Sequence, residues 1–528
     1  MSTLGRTLQV HVDRFFPFSR PTVTVEGYQA THPLPHVEYG GKLCLRNAET
    51  PTDPLKSIRS AIAEARDLLR DIKEGKEDAD FEEDFTLYWN HFNQSKDDDD
   101  KAQLYFPANA DEGYGAYIKE KSGILAFSSK ELGENWWENR TLKKPESLRR
   151  CAVIRLSTLP PPNRFPKDGA SLWDLVSQRS VKGEEILGGL VAYRPRSQLV
   201  VLMGQAPSGR HHAVAVSLAL RKGRDNPALR RERNAGHNQP LPASRVLLEQ
   251  YTTMRIRSIA VDAAMTRLPY ADRDHLSNRK VGIVGCGALG SGVAKLLAKS
   301  GIGNLVLIDS ETLDWENIRR HELGSRLIGS SKARALATRI RMDLPDISSA
   351  TGYKGRIQWV IQDRPELLTG LDLIISCTAS WSAELALDMH VRYGSPNPTP
   401  VLHTWMEANA LATHAVLLTD AAMSYSAGFD EAGRFVFPAS NGGKPPPAEC
   451  GGATTPFGAI ELAQAQSMVA NLAMEYLRGR ARGGIWRTCL ANENTLQDAE
   501  GAWMENWTNQ RGQPQELGGL SEARWDFR

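Results

Sequence analysis

The stretch RKVGIVGCGALGSGVAKLLAKSGIGNLVLIDSETLD, Arg279 to Asp314, decides the fold of the C-terminal half of the chain. The short apolar run Val281 to Val284 stops at a glycine and so reads as a buried strand. Gly285, Gly287 and Gly290 then form a G-x-G-x-x-G turn that opens a helix, and a second strand ends at Asp309. This is the βα start of a doubly wound parallel sheet. Such glycines let the backbone approach a phosphate, and a helix start supplies free N–H groups with roughly half a positive charge. Asp309, at the tip of the second strand, is placed to bind ribose hydroxyls. Taken alone, the pattern fits a nicotinamide dehydrogenase.

The next residues change that reading. DSETLDWENIRRHELG adds Glu311, Asn317 and Arg320, and GSSKARALA supplies Lys332 at the start of a further helix. Two cations and an amide near a phosphate turn suit a triphosphate better than a dinucleotide. Here the sequence resembles the ThiF and MoeB superfamily, whose pattern D-x-D-x-V, S-N-L-x-R-Q and a lysine is matched by Asp309 and Glu311, by Asn317, Arg320 and His321, and by Lys332. The resemblance implies ATP and Mg2+ as cofactors, with the arginine and lysine on the phosphates while a protein C-terminal carboxylate attacks the α-phosphate. One position departs from it. Where the family carries an aspartate that helps hold magnesium, DLIISCTAS has Ala379, which leaves Glu311 or Asp309 to that task. Cys286 and Cys377 read as core residues.

The chain has 528 residues, enough for two to four domains, with 64 Lys and Arg against 62 Asp and Glu, a balance of +2. No global field calls for nucleic acid or an anionic membrane. Six cysteines without a C-x-x-C pair exclude a disulfide framework and a zinc site of that kind, and point to a reducing, cytoplasmic compartment. The start MSTLGRTLQVHVDRFF has no apolar signal region, and no run is long enough to span a bilayer.

Three regions are expected: an α+β domain over 1–78, an α+β linker domain over 79–245 and the Rossmann-like adenylation domain over 246–528. The first opens with two strands, in TLQVHV and PTVTVEG, and closes with a helix in PLKSIRSAIAEARDLLRDIKEG, where Pro54 suits the first turn. The acidic runs EGKEDADFEEDF and SKDDDDKAQ read as solvated connectors without function. The basic stretch RKGRDNPALRRERNAGHNQP reads as a surface linker.

Two cysteines stand on loops. In GGKPPPAECGGATTPFG, Gly442 to Gly458, three prolines precede Cys450 and two glycines follow it, so neither helix nor central strand runs through the thiol. Thr455 and Pro456 mark the start of the helix that follows. By resemblance to ubiquitin-type activating enzymes, a thiol here takes the acyl group from the adenylate as a thioester. Near the N-terminus, FFPFSRPTVTVEGYQATHPLPHVEYGGKLCLRNAE resembles the centre of a ubiquitin-conjugating enzyme. Phe16, Pro17, Phe18 and Pro21 match its Y-P-F-x-P-P piece, and Gly41, Cys44 and Leu45 its G-x-x-C-L piece. His36 stands where that family has its asparagine, with a role in oxyanion binding or as a base. The usual N-terminal helix and first strands are expected to be shortened or missing.

Joined, these parts imply a relay of adenylation, thioester on Cys450 and transfer to Cys44. The domain order resembles the fused enzyme of bacterial CBASS antiphage operons, which implies a protein carrier with a free C-terminus, a cGAS-like nucleotidyltransferase or a ubiquitin-like protein, a target protein and a homodimer. Two rivals stay open: a sulfur-carrier adenylyltransferase without conjugation, and a non-catalytic scaffold.

Overall fold

The computed structural model describes residues 7–28, 33–38, 40–45, 53–91, 101–107, 109–192, 196–221, 244–260, 273–393, 399–420, 422–444 and 457–527. They belong to two compact units, one of Met1–Glu134 with Pro145–Arg267, the other of Asn135–Lys144 with Leu268–Arg528.

In the first unit, β1 (Leu8–His11) pairs antiparallel with β2 (Thr22–Val25). Bridges from Thr24 to Lys42 and from Val37 to Leu43 fold the segment bearing Cys44 onto them. The helix Pro54–Lys73 starts where the Asp53 carboxylate accepts a hydrogen bond from the Lys56 N–H, with Pro54 in its first turn. Its Ala61, Ala65, Leu68 and Ile72 share one face and pack on Val23, Val25, Val37 and Leu43.

The first acidic run is not a solvated connector. It contains the short helix Asp80–Glu83 and leads into a second, Phe85–His91. Phe85 and Trp89 are fully buried, the Trp89 indole N–H donates to the Ile256 carbonyl, and Asn90 exchanges two hydrogen bonds with the Ser258 backbone. The apolar residues of the stretch outweigh its charge because they face a neighbouring barrel. Of the second acidic run, residues 95–100 lie outside the described residues, as do 222–240 of the basic stretch.

That barrel is built from β3 (Lys101–Tyr105), β4 (Gly113–Glu120), β5 (Gly123–Phe127), β6 (Arg149–Arg155), β7 (Ser197–Gln205), β8 (His211–Leu220) and β9 (Tyr251–Ala260), closed in the order β3-β5-β4-β6-β7-β8-β9. Strand alternation sends Val153, Val201 and Ala215 into one core and Ile154, Leu202, Val214 and Val216 into another, shared with residues of the helices Gly169–Arg179 and Gly183–Val191. β9 carries the barrel past residue 245, where the sequence places the start of the adenylation domain.

The second unit is an eight-stranded sheet of β10 (Lys280–Val284), β11 (Asn304–Asp309), β12 (Ser349–Lys354), β13 (Leu373–Ser376), β14 (Val401–Met406), β15 (Ala412–Leu418), β16 (Ile485–Leu490) and β17 (Gly519–Arg524). Their order is β12-β11-β10-β13-β14-β15-β16-β17. Pairing is parallel from β12 through β14 and antiparallel beyond. β10 and β13 read as unbroken apolar runs because they are covered on both faces, with the helices Ala288–Lys299 and Ala459–Leu477 supplying part of that cover. Between β10 and β13 the strand order reverses, which opens a crevice beyond the carboxyl ends of the strands. Among the described residues, no helix is long and apolar enough to cross a membrane.

Candidate functional site

The crevice is a cleft of about 410 Å3 lined by Gly285 and Gly287 after β10, Asp309 to Glu311 after β11, Gly355 to Gln358 after β12, and Cys377, Thr378, Ser380 and Ser382 after β13. The three glycines do different jobs. Gly285 has φ 85, which favours glycine, and a Cβ there would lie 2.7 Å from the Cys377 carbonyl oxygen. At Gly290 a Cβ would lie 1.9 Å from the Gly285 oxygen, so this glycine lets helix and turn touch. Gly287 meets nothing within 4 Å and caps the helix Ala288–Lys299 without a side-chain hydrogen bond. Its open face and the N–H groups beyond it, which no side chain caps, leave room at the helix start for an anion.

Asp309 is buried, and its carboxylate accepts hydrogen bonds from the backbone N–H groups of Cys286, at 2.6 Å, and Glu311, at 2.7 Å. Burial nevertheless holds it above the ordinary carboxylate range. The Lys332 side chain is 5% exposed, and its Nζ lies 2.5 Å from Oε2 of the exposed Glu311. The buried ammonium is thus paired with a carboxylate that itself lines the cleft.

His321 is buried, with Nε2 2.7 Å from the Cys286 carbonyl and Nδ1 accepting the Leu323 N–H at 3.0 Å. These partners fix a neutral ring protonated at Nε2, and burial pushes its pKa down. Asn317 accepts the Asp314 N–H in a local cap, and Arg320 lies over the Phe457 ring at 4.6 Å. Neither lines the cleft, and Lys332 reaches it through Glu311.

Ala379 holds a left-handed backbone, φ 49, a region that suits aspartate better than alanine. Beside it the Thr378 and Ser376 hydroxyls donate to buried Glu384 Oε1, whose other oxygen lies 2.6 Å from His403 Nδ1. This buried network anchors the strand end. Of the acidic positions here, Asp309 accepts two N–H groups, Ala379 offers no ligand, and Glu311 pairs with Lys332. Among the described residues, no cluster of three or more His, Cys, Asp or Glu is arranged to hold a metal by itself. Burial pushes the Cys286 and Cys377 thiols up; Cys286 is a core residue, whereas Cys377 is half-buried and lines the cleft. Gly355 to Gln358, Ser380 and Ser382 escape sequence reading because β12 and β13 lie far apart in the chain. Gln358 donates to the Ser382 hydroxyl at 3.3 Å.

In the first unit, Cys44 is half-buried beside a hairpin that turns at Gly41, φ 80. The Cys44 N–H donates to the His36 carbonyl at 2.8 Å, and its Sγ lies 3.8 Å from Glu38 Oε1. Burial, then Glu38 and Asp80, hold the thiol above its ordinary range, against the opposing pull of Lys42. The His36 ring turns to two carboxylates, with Nε2 3.1 Å from Glu77 and 3.3 Å from Asp80. The His36 N–H donates to the Tyr88 hydroxyl at 2.7 Å, and that hydroxyl donates to Asp80. Glu38 was missed from sequence. The turn Gly40-Gly41 that brings it back to Lys42 and Cys44 is the signal that would have found it.

Cys450 lies outside the described residues. The chain before it is tied down by part-buried Glu407, which accepts the N–H groups of Ala439 and Ser440 and the Ser440 hydroxyl and pairs with His414. Burial would raise the Glu407 carboxyl, but the hydrogen bonds from His414, Ser440 and Ala439 hold it below its ordinary range.

Comparison with known proteins matches two family models to the chain. Residues 260–477 match the ThiF family, so the second unit carries a ThiF domain. Residues 2–97 match prokaryotic E2 family B, and the chain therefore joins an E2-like domain to an E1-like, ThiF-type one. Several relatives bear the name ATP-dependent ubiquitin transferase-like protein Cap2. The one from Pseudomonas aeruginosa is 30% identical over 219 residues, 39% of this chain and 37% of that protein. The one from Vibrio cholerae is 25% identical over 431 residues, 74% and 70% of the two chains. Ubiquitin-like modifier-activating enzyme 5 of Oryza sativa is 26% identical over 217 residues, 37% of this chain and 50% of that enzyme.

Proposed function

We propose that this chain uses ATP to adenylate the C-terminal carboxylate of a protein carrier, takes the acyl group as a thioester on Cys450, passes it to Cys44 and ligates it to a target. One observation carries the reading: a glycine-walled cleft, lined by a glutamate that pairs with a buried lysine, stands on the same chain as an E2-like hairpin with a half-buried cysteine beside it. Gly285, Gly287 and Gly290 seat the phosphates and Asp309 the ribose. Lys332 moves from Glu311 to the triphosphate, joined by Arg320 and Asn317, while Glu311 helps hold Mg2+. The carrier oxygen bonds to the α-phosphorus and pyrophosphate leaves, the Cys450 sulfur then displaces AMP, and Cys44 displaces Cys450. His36 holds the Cys44 segment through its carbonyl. The relatives' name, ubiquitin transferase-like, supports transfer of a protein carrier; the carrier in this reading is a cGAS-like nucleotidyltransferase or a ubiquitin-like protein, and a homodimer in the cytoplasm completes it.

The test is exchange of labelled pyrophosphate into ATP, with each candidate carrier supplied in turn. Lys332→Ala is expected to lower exchange by about 10²–10³, the usual cost of removing one charge-stabilising group from a transferring centre. Cys450→Ala should retain exchange and lose the reductant-sensitive carrier adduct, while Cys44→Ala retains an adduct and loses transfer to target. Exchange indifferent to Lys332→Ala would sink the nucleotide assignment.

A further inference from the structure

Resting on the reading that Arg320 joins the triphosphate, we infer that Phe457 is the positioning residue for its guanidinium: the ring holds Arg320 beside the cleft, and the phosphates of the nucleotide draw the cation off it. The Arg320 Cζ stands 4.6 Å from the centre of the Phe457 ring. At that separation a guanidinium is attracted to the negative face of an aromatic ring. One Arg320 N–H also reaches the Glu316 carbonyl at 3.4 Å, and the side chain does not line the cleft. Ring and phosphate therefore compete for one cation.

Both partners of the contact are anchored to the glycine turn. The Arg320 and His321 N–H groups each donate to the Asn317 carbonyl at 2.9 Å, and the His321 ring meets the Cys286 carbonyl inside the turn. The backbone of Arg320 is thus held next to the turn, and only its long side chain has to swing. The ring is equally well held. Phe457 packs, partly buried, on the same core as Ala288, the first residue of the helix that the turn opens. Gly458 then caps the helix Ala459–Leu477, which lies against Ala288–Lys299. The Gln466 amide donates to the Ala288 carbonyl at 2.9 Å, and a Cβ at Gly292 would lie 2.0 Å from the Gln466 side chain, so these helices cannot slide apart freely. With ring and backbone fixed, the guanidinium is the moving part. Triphosphate binding gives up one cation–π contact, and a chain without that contact holds the binding-competent arginine more of the time.

The test measures the affinity of the full chain for AMPCPP with Mg2+ by titration calorimetry. Phe457→Leu, which keeps apolar bulk and removes the ring, is expected to tighten binding about two- to fivefold, the worth of one exposed cation–π contact. Phe457→Met should do the same, and Phe457→Tyr, which keeps a ring, should bind as the wild type does. Arg320→Ala should bind more weakly, and adding Phe457→Leu to it should change nothing further. Equal affinities in the wild type, Phe457→Leu and Phe457→Met would overturn the inference. So would the same change with and without Arg320, which would assign the effect to packing at the helix start. An Arg320→Ala protein that binds AMPCPP as tightly as the wild type would fell the underlying reading of Arg320 as a phosphate ligand, whereas a weakened Arg320→Ala beside an indifferent Phe457→Leu fells the inference alone.

Discussion

The nucleotide cleft and the Cys44 hairpin are fixed by different parts of the chain. At the cleft and the glycine turn beside it, side chains are held by backbone: Asp309 by two N–H groups, and His321 by one carbonyl and one N–H. Around Cys44 the supports are side chains, with His36 held by Glu77, Asp80 and the Tyr88 hydroxyl. A site fixed by backbone is sensitive to added bulk where chains touch. A site fixed by side chains is sensitive to deletion of single polar atoms.

The largest expected effect tests the first half of that contrast. Gly290→Ala forces a Cβ against the Gly285 oxygen, and neither backbone can yield without moving the phosphate turn. The second unit should lose about 3 kcal/mol, the upper end for overpacking, read as the shift of its urea transition. Gly287→Ala, with open space around its Cβ, should leave that transition nearly unmoved while weakening nucleotide binding. Equal losses from the two alanines would break the distinction between a packing glycine and a phosphate-facing one.

Tyr88→Phe examines the other half. It removes one hydroxyl that serves both the His36 N–H and Asp80, leaving two part-buried groups without it. A loss of about 1–3 kcal/mol is expected from the first unit, the usual penalty for stranded buried polar groups, together with a changed rate of Cys44 alkylation. A variant as stable and as reactive as the wild type would show that the hairpin does not depend on this support.

The smallest effect is in pH. Burial depresses the His321 pKa in the folded chain, so below about 6.5, the ordinary histidine value, the unfolded state binds the proton more readily. The stability from His321 is therefore complete above that pH and is lost as pH falls through the window down to the folded value, at no more than about 1.4 kcal/mol per pH unit. Protonation at Nδ1 would also set two donors face to face at Leu323. His321→Gln should flatten the pH dependence of the urea midpoint of the second unit between pH 7 and 5.5. A slope unchanged by that substitution would assign the effect to another group.

Much of the cleft was legible because its signals are local. Val281 to Val284, the glycine turn and Asp309 lie within one βα unit, where residue order and spatial order coincide, and the amphipathic helix Pro54–Lys73 was equally plain. The acidic stretch from Glu74 to Phe85 was misread because charge was weighed without the apolar surface that Phe85 and Trp89 meet on the barrel. Nothing in the order of residues announces that Glu77, Asp80 and Tyr88 converge on His36, or that Gln358 meets Ser382.

By itself, the sequence determined the doubly wound core and the glycine turn that opens its first helix, since strand periodicity and glycine conformation act over a few neighbouring residues. Only the tertiary structure decided which carboxylates face His36, that Glu38 stands between a thiol and an ammonium, and that Lys332 is buried against Glu311. Those outcomes depend on contacts between segments distant in the chain, and such contacts leave no local periodicity to read.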